Sequence, residues 1–515
     1  MLNIIPVERN DMKKTLTIAV LLLFVGCSLM AQKTLEMVFD NVVGGVPVHS
    51  YFDGMDNQHY ILFSSRYTDK EALVSIPGNN GKGQQLVLQH PTDYELLVAY
   101  EDATQIRCIY KCYKYDTKTY GIYLNAFPKD AESAEWNPEA VFVFSLEKTE
   151  DIRCWSARSP DQSKAAVALF LTNTRSNSLK GSMVMTFDEN GLLWKNPLDL
   201  EFENNTLEIF NFAVSNEAKV YTAILSFNKE NEKDKSRKNE TLHLFESSEY
   251  GEINSTDFQV EFGSLSCGRL LITRQGNVMI GGYYAPKYGE KETGCYIVRY
   301  DMNPLTSANI SHEDFPNTYY NYVHTPSGKK AKDFSVYPSY FFEFSDGTVA
   351  LLGEMYTTFS ITMVFSAGGS ILLHLADKNG DISQFKTIEK VQTSVETTHS
   401  PGSLRGRLFS YSALMHNDRI HLFFADNVEN YRGKSGQNSF ADTKFFTSDL
   451  KFDGLCAAHC SIDRGGNIST PELLIDYSAL KSHMFALFYM QDDGVVFLHS
   501  GKKSRQISKY KHDFE

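Results

Sequence analysis

Eight times along the chain a polar turn is followed at once by a short, mostly apolar strand. The copies are Asp56-Asn57-Gln58 before 60–63, Asp102-Ala103-Thr104 before 106–110, Asp161-Gln162-Ser163 before 165–171 and Asn216-Glu217-Ala218 before 220–225. The other four are Gln275-Gly276-Asn277 before 278–280, Asp346-Gly347-Thr348 before 349–352, Asn417-Asp418-Arg419 before 420–424 and Asp492-Asp493-Gly494 before 495–498. A second hairpin lies between several of these anchors. It is clearest at 185–193, around Asp188-Glu189-Asn190-Gly191, and at 373–382, around Asp377-Lys378-Asn379-Gly380, with weaker copies at 245–253, 298–304 and 461–468. The Asn-Gly and Gly-Asn pairs supply the positive φ that tight hairpin turns need.

Two hairpins per period make a four-stranded antiparallel unit. Such a unit recurring roughly every 50 to 75 residues predicts an all-β fold, a β-propeller, rather than a solenoid, whose repeats are shorter and carry fewer strands. Eight blades are expected, with seven as the alternative if a weaker copy is not a full blade. Too little chain follows the eighth anchor to complete a fourth strand there. The strand-like run Thr34-Leu35-Glu36-Met37-Val38-Phe39-Asp40 stands alone before the first anchor. Placing it in the last blade closes the ring and removes both sheet edges. Residues 32–515 are then one domain. The abundance of Phe (35) and Tyr (28) against 15 Pro suits a chain of strands with aromatic faces between them.

The repeats resemble the loosely kelch-like propellers of exported bacterial proteins. The better matches are Ser345-Asp346-Gly347-Thr348-Val349-Ala350-Leu351-Leu352-Gly353, the run 275–282 and the run 188–193. The resemblance implies a fold and no single activity.

A leader precedes the repeats. Met12-Lys13-Lys14, the apolar run 19–25 and Gly26-Cys27-Ser28-Leu29-Met30-Ala31-Gln32 read as a secretory signal too short to span a bilayer stably. Glu8, Arg9 and Asp11 suit a signal poorly, which makes Met12 the expected start. Cleavage after Ala31 is the first reading. The second takes Phe24-Val25-Gly26-Cys27 as a lipobox, with Cys27 carrying lipid. Either way the protein is exported, to the periplasm or the outer membrane, and no second long apolar run predicts a transmembrane span.

The formal charge of −13 argues against nucleic acid as a partner, since phosphates need a basic face. Past the leader, Cys108, Cys112, Cys154, Cys267, Cys295, Cys456 and Cys460 are too sparse and odd in number for a disulfide framework. Cys108 and Cys112 on one strand face would lie roughly 13 Å apart, beyond disulfide reach.

Few motifs carry chemistry. Cys456-Ala457-Ala458-His459-Cys460 has the spacing of neither a zinc knuckle nor a haem attachment. As a strand it turns both cysteines to one side and His459 to the other, which predicts buried thiols. Asp377-Lys378-Asn379-Gly380-Asp381 places Gly and the twelfth residue wrongly for a calcium loop and reads as a hairpin turn. Gly78-Asn79-Asn80-Gly81-Lys82-Gly83 lacks the Ser/Thr and the helix of a phosphate loop. No Gly-x-Ser-x-Gly or His-Glu-x-x-His occurs, and no metal or cofactor is expected.

Three connections draw notice. The mixed-charge run 226–241 reads as a solvated loop. The run 312–333 sets Tyr319, Tyr320 and Tyr322 beside His324 and two Asn, and 356–370 is uncharged with Phe359, Met363 and Phe365. Aromatics beside amides suit sugar rings or a protein anchor, while the plainer reading is that they cover the ring or extend a strand. The expected function is therefore binding of a protein or glycan of the cell envelope through loops of one rim, with Tyr319, Tyr320, Tyr322 and His324 as candidate contacts. The alternative is a polysaccharide-active enzyme with acid/base groups at the mouth of the channel.

Overall fold

The computed structural model describes residues 35–511 apart from 41–45, 54–57, 65–69, 78–83, 130–132, 175–178, 201–205, 229–236, 303–304, 317–334, 361–363, 397–410, 429–430, 432–454, 477–482, 492–493, 501–504 and the single positions 90, 92, 148, 199 and 391. The leader, with Cys27, the Gly78–Gly83 turn and the four candidate contacts Tyr319, Tyr320, Tyr322 and His324 lie outside the described residues. Every named element is a strand. No helix among the described residues is long and apolar enough to cross a membrane.

The strands form eight antiparallel sheets that follow one another along the chain, which is the organisation of a β-propeller. They span 46–89, 94–145, 150–197, 206–259, 264–314, 335–396, 411–476 and 483–511. The eighth is completed by the chain's own first strand, Leu35–Asp40, which pairs antiparallel with Arg505–Lys511 from Leu35↔Tyr510 to Asp40↔Gln506. The expected closing strand is thus in place. Each of the eight anchors joins the first two strands of one sheet, and the second hairpins join the last two. The first sheet gains a short parallel strand, Ser133–Ala134, from the connection inside the second.

The turns explain the repeat. Thr273 N–H donates to Asn277 O and Gly276 N–H to Thr273 O, and the same pair of bonds recurs at Phe344/Thr348, Asp377/Asp381 and Asp463/Asn467. Each loop puts one residue in the left-handed region: Gly276, Gly347, Gly380 and Gly466 do so at no steric cost, whereas Gln162 and Ala218 occupy it with a side chain. The segment Asp377–Asp381 is one of these turns, as expected, with Asp377 Oδ1 accepting the N–H groups of Asn379 (2.8 Å) and Asp381 (3.0 Å).

Packing follows position in the sheet. Second strands such as Val278–Ala285 are buried along their whole length because both faces lie between neighbouring sheets, and they read as continuous apolar runs. Outer strands such as Ile253–Gln259 alternate between half-buried and exposed. The core is accordingly a series of layers between sheets: one joins the second and third, others the third and fourth, the fourth and fifth, the fifth and sixth, and the sixth and seventh. The largest fully buried side chains are Tyr100, Tyr110, Tyr283, Tyr296, Tyr300, Phe170 and Phe187, so much of the aromatic excess fills these layers.

The innermost strands carry a second repeated device. In the second, fourth, fifth and sixth sheets the register of the first strand slips by one residue, at Leu97, Phe210, Ser266 and Ser339. Side chains near these bulges reach the backbone of the adjacent first strand. Ser156 Oγ donates to Leu97 O (3.0 Å), Asn211 Nδ2 to Gly268 O (3.0 Å), Arg269 Nε to Pro338 O (3.0 Å) and Tyr340 Oη to Tyr411 O (3.3 Å). Bulges re-aim side chains and strengthen twist, and here they bond one sheet to the next around the inner edge.

Candidate functional site

Antiparallel strand order gives the two ends of the sheets different contents. One end, the turn rim, carries the hairpin turns within each pair of strands. The other, the connection rim, carries the links between second and third strands and from each sheet to the next. The turn rim is bonded from sheet to sheet: Tyr100 Oη to Asp188 O, Asp161 N–H to Asn216 Oδ1, Arg274 N–H to Glu343 Oε2, Arg299 to Asn379 Oδ1 and Ser345 N–H to Asp418 Oδ1. The long connections, 315–334, 389–410 and 428–454, all leave from the connection rim.

Four of the five strongly exposed tyrosines among the described residues also sit on the connection rim: Tyr115 (84% exposed), Tyr288 (43%), Tyr337 (52%) and Tyr356 (44%). Only Tyr250 is on the turn rim. Two of the four have a guanidinium behind the ring. Arg237 Cζ lies 3.8 Å from the centre of Tyr288 and 4.4 Å from that of Phe227, and Arg269 Cζ lies 5.7 Å from the centre of Tyr337. Arg237 is ion-paired to Glu208 and donates to Leu265 O. Of the run 226–241, read as a solvated loop, residues 229–236 lie outside the described residues; strands run to Asn228 and from Lys238, and the Arg237 side chain is buried beside an aromatic ring rather than solvated.

The run 356–370 is likewise not a loop. Val349–Ser360 and Val364–Ala376 form one long hairpin that outruns the first strand of its sheet, and Gln392–Glu396 pairs with its far end. The plainer expectation, a strand extension, is what the structure has. The register puts Ser335, Tyr337, Glu354 and Tyr356 on one sheet face. Glu354 is ion-paired there to Lys390, whose side chain is fully buried and whose Nζ lies 5.9 Å over the Tyr411 ring.

Three carboxylates of this rim, Glu354, Glu240 and Glu292, are engaged in holding the structure. Glu240 accepts from the Ser264 hydroxyl and from Leu265 N–H (2.9 Å), joining the fourth sheet to the fifth, and Glu292 accepts from Val336 N–H (3.1 Å), joining the fifth to the sixth. Burial pushes both acids up from the usual carboxylate range. The Glu240 hydrogen bonds oppose that shift without overcoming it.

Two further constellations combine residue types used in catalysis. In the fourth sheet Ser226 Oγ lies 2.7 Å from His243 Nε2, and His243 Nδ1 2.6 Å from Asp257 Oδ1. The connectivity is that of a nucleophile triad, yet Ser226 is 1% exposed, so no substrate carbonyl reaches it; the chain clamps three strands together. In the seventh sheet His421 Nδ1 lies 3.1 Å from His459 Nε2 and His459 Nδ1 3.0 Å from Glu472 Oε1. Cys456 and Cys460 lie on the opposite strand face from His459 as buried thiols outside any disulfide, as the alternation predicts.

The rings and acids that the structure assembles on the connection rim, Arg237, Glu292, Tyr288, Tyr337 and Tyr356, were not candidates in the sequence. Of these, Arg237 and Tyr356 lay in runs that drew notice, neither as a candidate contact.

No protein-family model and no curated protein matches the chain. Among solved structures it is similar to the WD40 domain of SCAP from fission yeast, at 9% identity, with 93% of this chain and 97% of that one covered and a TM-score of 0.35. It is also similar to an ulvan lyase of a new polysaccharide lyase family (9% identity, 64% and 78% covered, TM-score 0.37). A third is an alpha-L-arabinofuranosidase from Fusarium graminearum (11%, 62% and 93%, TM-score 0.32). At such TM-scores these likenesses carry no argument, and the fold rests on the sheets themselves.

Proposed function

We propose that the protein is an exported propeller of eight blades that binds a protein or glycan of the cell envelope through its connection rim, without catalysis. The observation that carries this is the contrast between the rims: one is bonded turn to turn, while from the other the chain leaves for its long connections, and it has four of the five exposed tyrosines among the described residues. Binding residues concentrate on loops held by a rigid scaffold, and tyrosine is the residue most suited to them. The engaged state of Glu240, Glu292 and Glu354 supports a binding rather than an acid/base role.

The test is a pull-down from native envelope extract with the full chain and with the triple variant Tyr288→Ala, Tyr337→Ala, Tyr356→Ala. Loss of the partner in that variant, and its retention in Tyr250→Ala on the other rim, is the expected result. Equal loss in both would remove the rim assignment. New reducing ends released from envelope polysaccharide by the purified protein would replace binding with the enzyme reading. For export, the mature N-terminus is expected at Gln32 by mass spectrometry; a fatty-acid analogue label lost in Cys27→Ala would instead assign a lipid anchor.

A further inference from the structure

Tyr288 and Tyr337 share an arrangement that points to a ligand chemistry. Each ring has a guanidinium beside it, 3.8 Å from the centre of Tyr288 and 5.7 Å from that of Tyr337, while the two residues remain 43% and 52% exposed. Neither guanidinium is loose: Arg237 is fixed by Glu208 and Leu265 O, Arg269 by Pro338 O. The rings are therefore presented in set orientations, and a rigid aromatic contact costs little conformational entropy on binding.

We infer that Tyr288 and Tyr337 are stacking platforms for sugar rings and that the partner on this rim is a neutral oligosaccharide; the inference rests on the rim reading above. A cation already held against one face of a π system reduces what a second cation gains on the other, which disfavours a basic ligand. An anionic ligand meets a chain of formal charge −13. The neutral, C–H-rich face of a pyranose fits what remains.

The frame around Tyr337 is polar, with Ser335, Glu354, Arg269 and Ser339 about it, whereas the centre of a protein interface is depleted in charge. Tyr288 belongs to the fifth sheet and Tyr337 to the sixth, so two platforms on neighbouring sheets suit a chain of sugars rather than one.

Isothermal titration of the full chain with cellohexaose, xylohexaose, mannohexaose, maltohexaose and, as the anionic comparator, hexagalacturonate tests this. At least one neutral hexaose is expected to bind. Tyr288→Ala and Tyr337→Ala should each weaken it about tenfold, while Tyr288→Phe and Tyr337→Phe, which keep the ring, should stay within about threefold of the parent. Circular dichroism and melting of each variant establish that it is folded.

If no neutral hexaose binds, or hexagalacturonate is preferred, while the triple variant still loses a protein from envelope extract, the sugar inference falls and the rim reading stands. If every ligand found is indifferent to all rim substitutions, both fall.

Discussion

Ser345 donates its backbone N–H to one oxygen of Asp418 and its hydroxyl to the other, both at 2.6 Å, which fastens the first turn of the sixth sheet to that of the seventh. These bonds hold the Asp418 carboxyl below its usual range. Asp418 also sits at φ 57°, a conformation Asp tolerates and Ala resists. Asp418→Ala should cost about 1 to 3 kcal/mol, measured by urea denaturation, with Asp418→Asn costing less. Because the folded-state pKa is depressed, the carboxylate's contribution is complete above its unfolded value and is lost as the pH falls through the folded one. The Ala penalty should therefore shrink in strong acid.

Acid should act earlier through two imidazoles. Burial lowers both His374 and His421 to about 3, and for His421 the neighbouring His459 adds to the effect. The fold thus favours the neutral rings, and between pH 6.5 and 3 the unfolded chain binds more protons. Stability is full above about pH 6.5 and declines below it, by roughly 3 kcal/mol per ring at pH 4. His374 packs against Tyr283, Phe315 and Phe385, so His374→Leu keeps an apolar occupant. Its unfolding free energy should depend less steeply on pH by about one proton; an unchanged slope would refute the assignment.

Gly353 has no room for a side chain. A Cβ there would stand 2.0 Å from Tyr283 Oη and 2.6 Å from Cζ. Gly353→Ala is expected to destabilise by about 3 kcal/mol through overpacking. Truncating the obstructing ring should recover part of this, so Gly353→Ala with Tyr283→Leu should melt closer to Tyr283→Leu alone than the sum of the single effects predicts.

The pairing of Leu35–Asp40 with Arg505–Lys511 makes a rearrangement testable. Leu35 lies opposite Tyr510, so the start of the first strand meets the end of the last. Deleting residues 32–44 should expose the edge of Arg505–Lys511 and promote aggregation. Appending residues 33–41 after Glu515, in a chain that begins at Gly45, should restore a monomer by closing the same sheet with an ordinary hairpin. A permutant no better behaved than the deletion would show that covalent order matters more than strand pairing.

The spacing of the eight anchors, the turn at Asp377–Asp381, the alternation around Cys456–Cys460 and the closing strand at residue 35 were legible because each depends on local chemistry. A turn needs its positive φ and its Asx acceptor within five residues, and a strand shows its faces through a period of two. Tertiary structure decided the rest. Arg237 reads as one charge in a polar run until Tyr288 of the next sheet covers it, and Ser226, His243 and Asp257 converge only because three strands align in register. The sequence by itself determined the order of the eight anchor hairpins and the turn chemistry that closes them. Which side chains share a rim, which rings stay open and which charges are buried were settled by the packing of sheet on sheet, since burial and stacking depend on partners that the chain supplies tens of residues away.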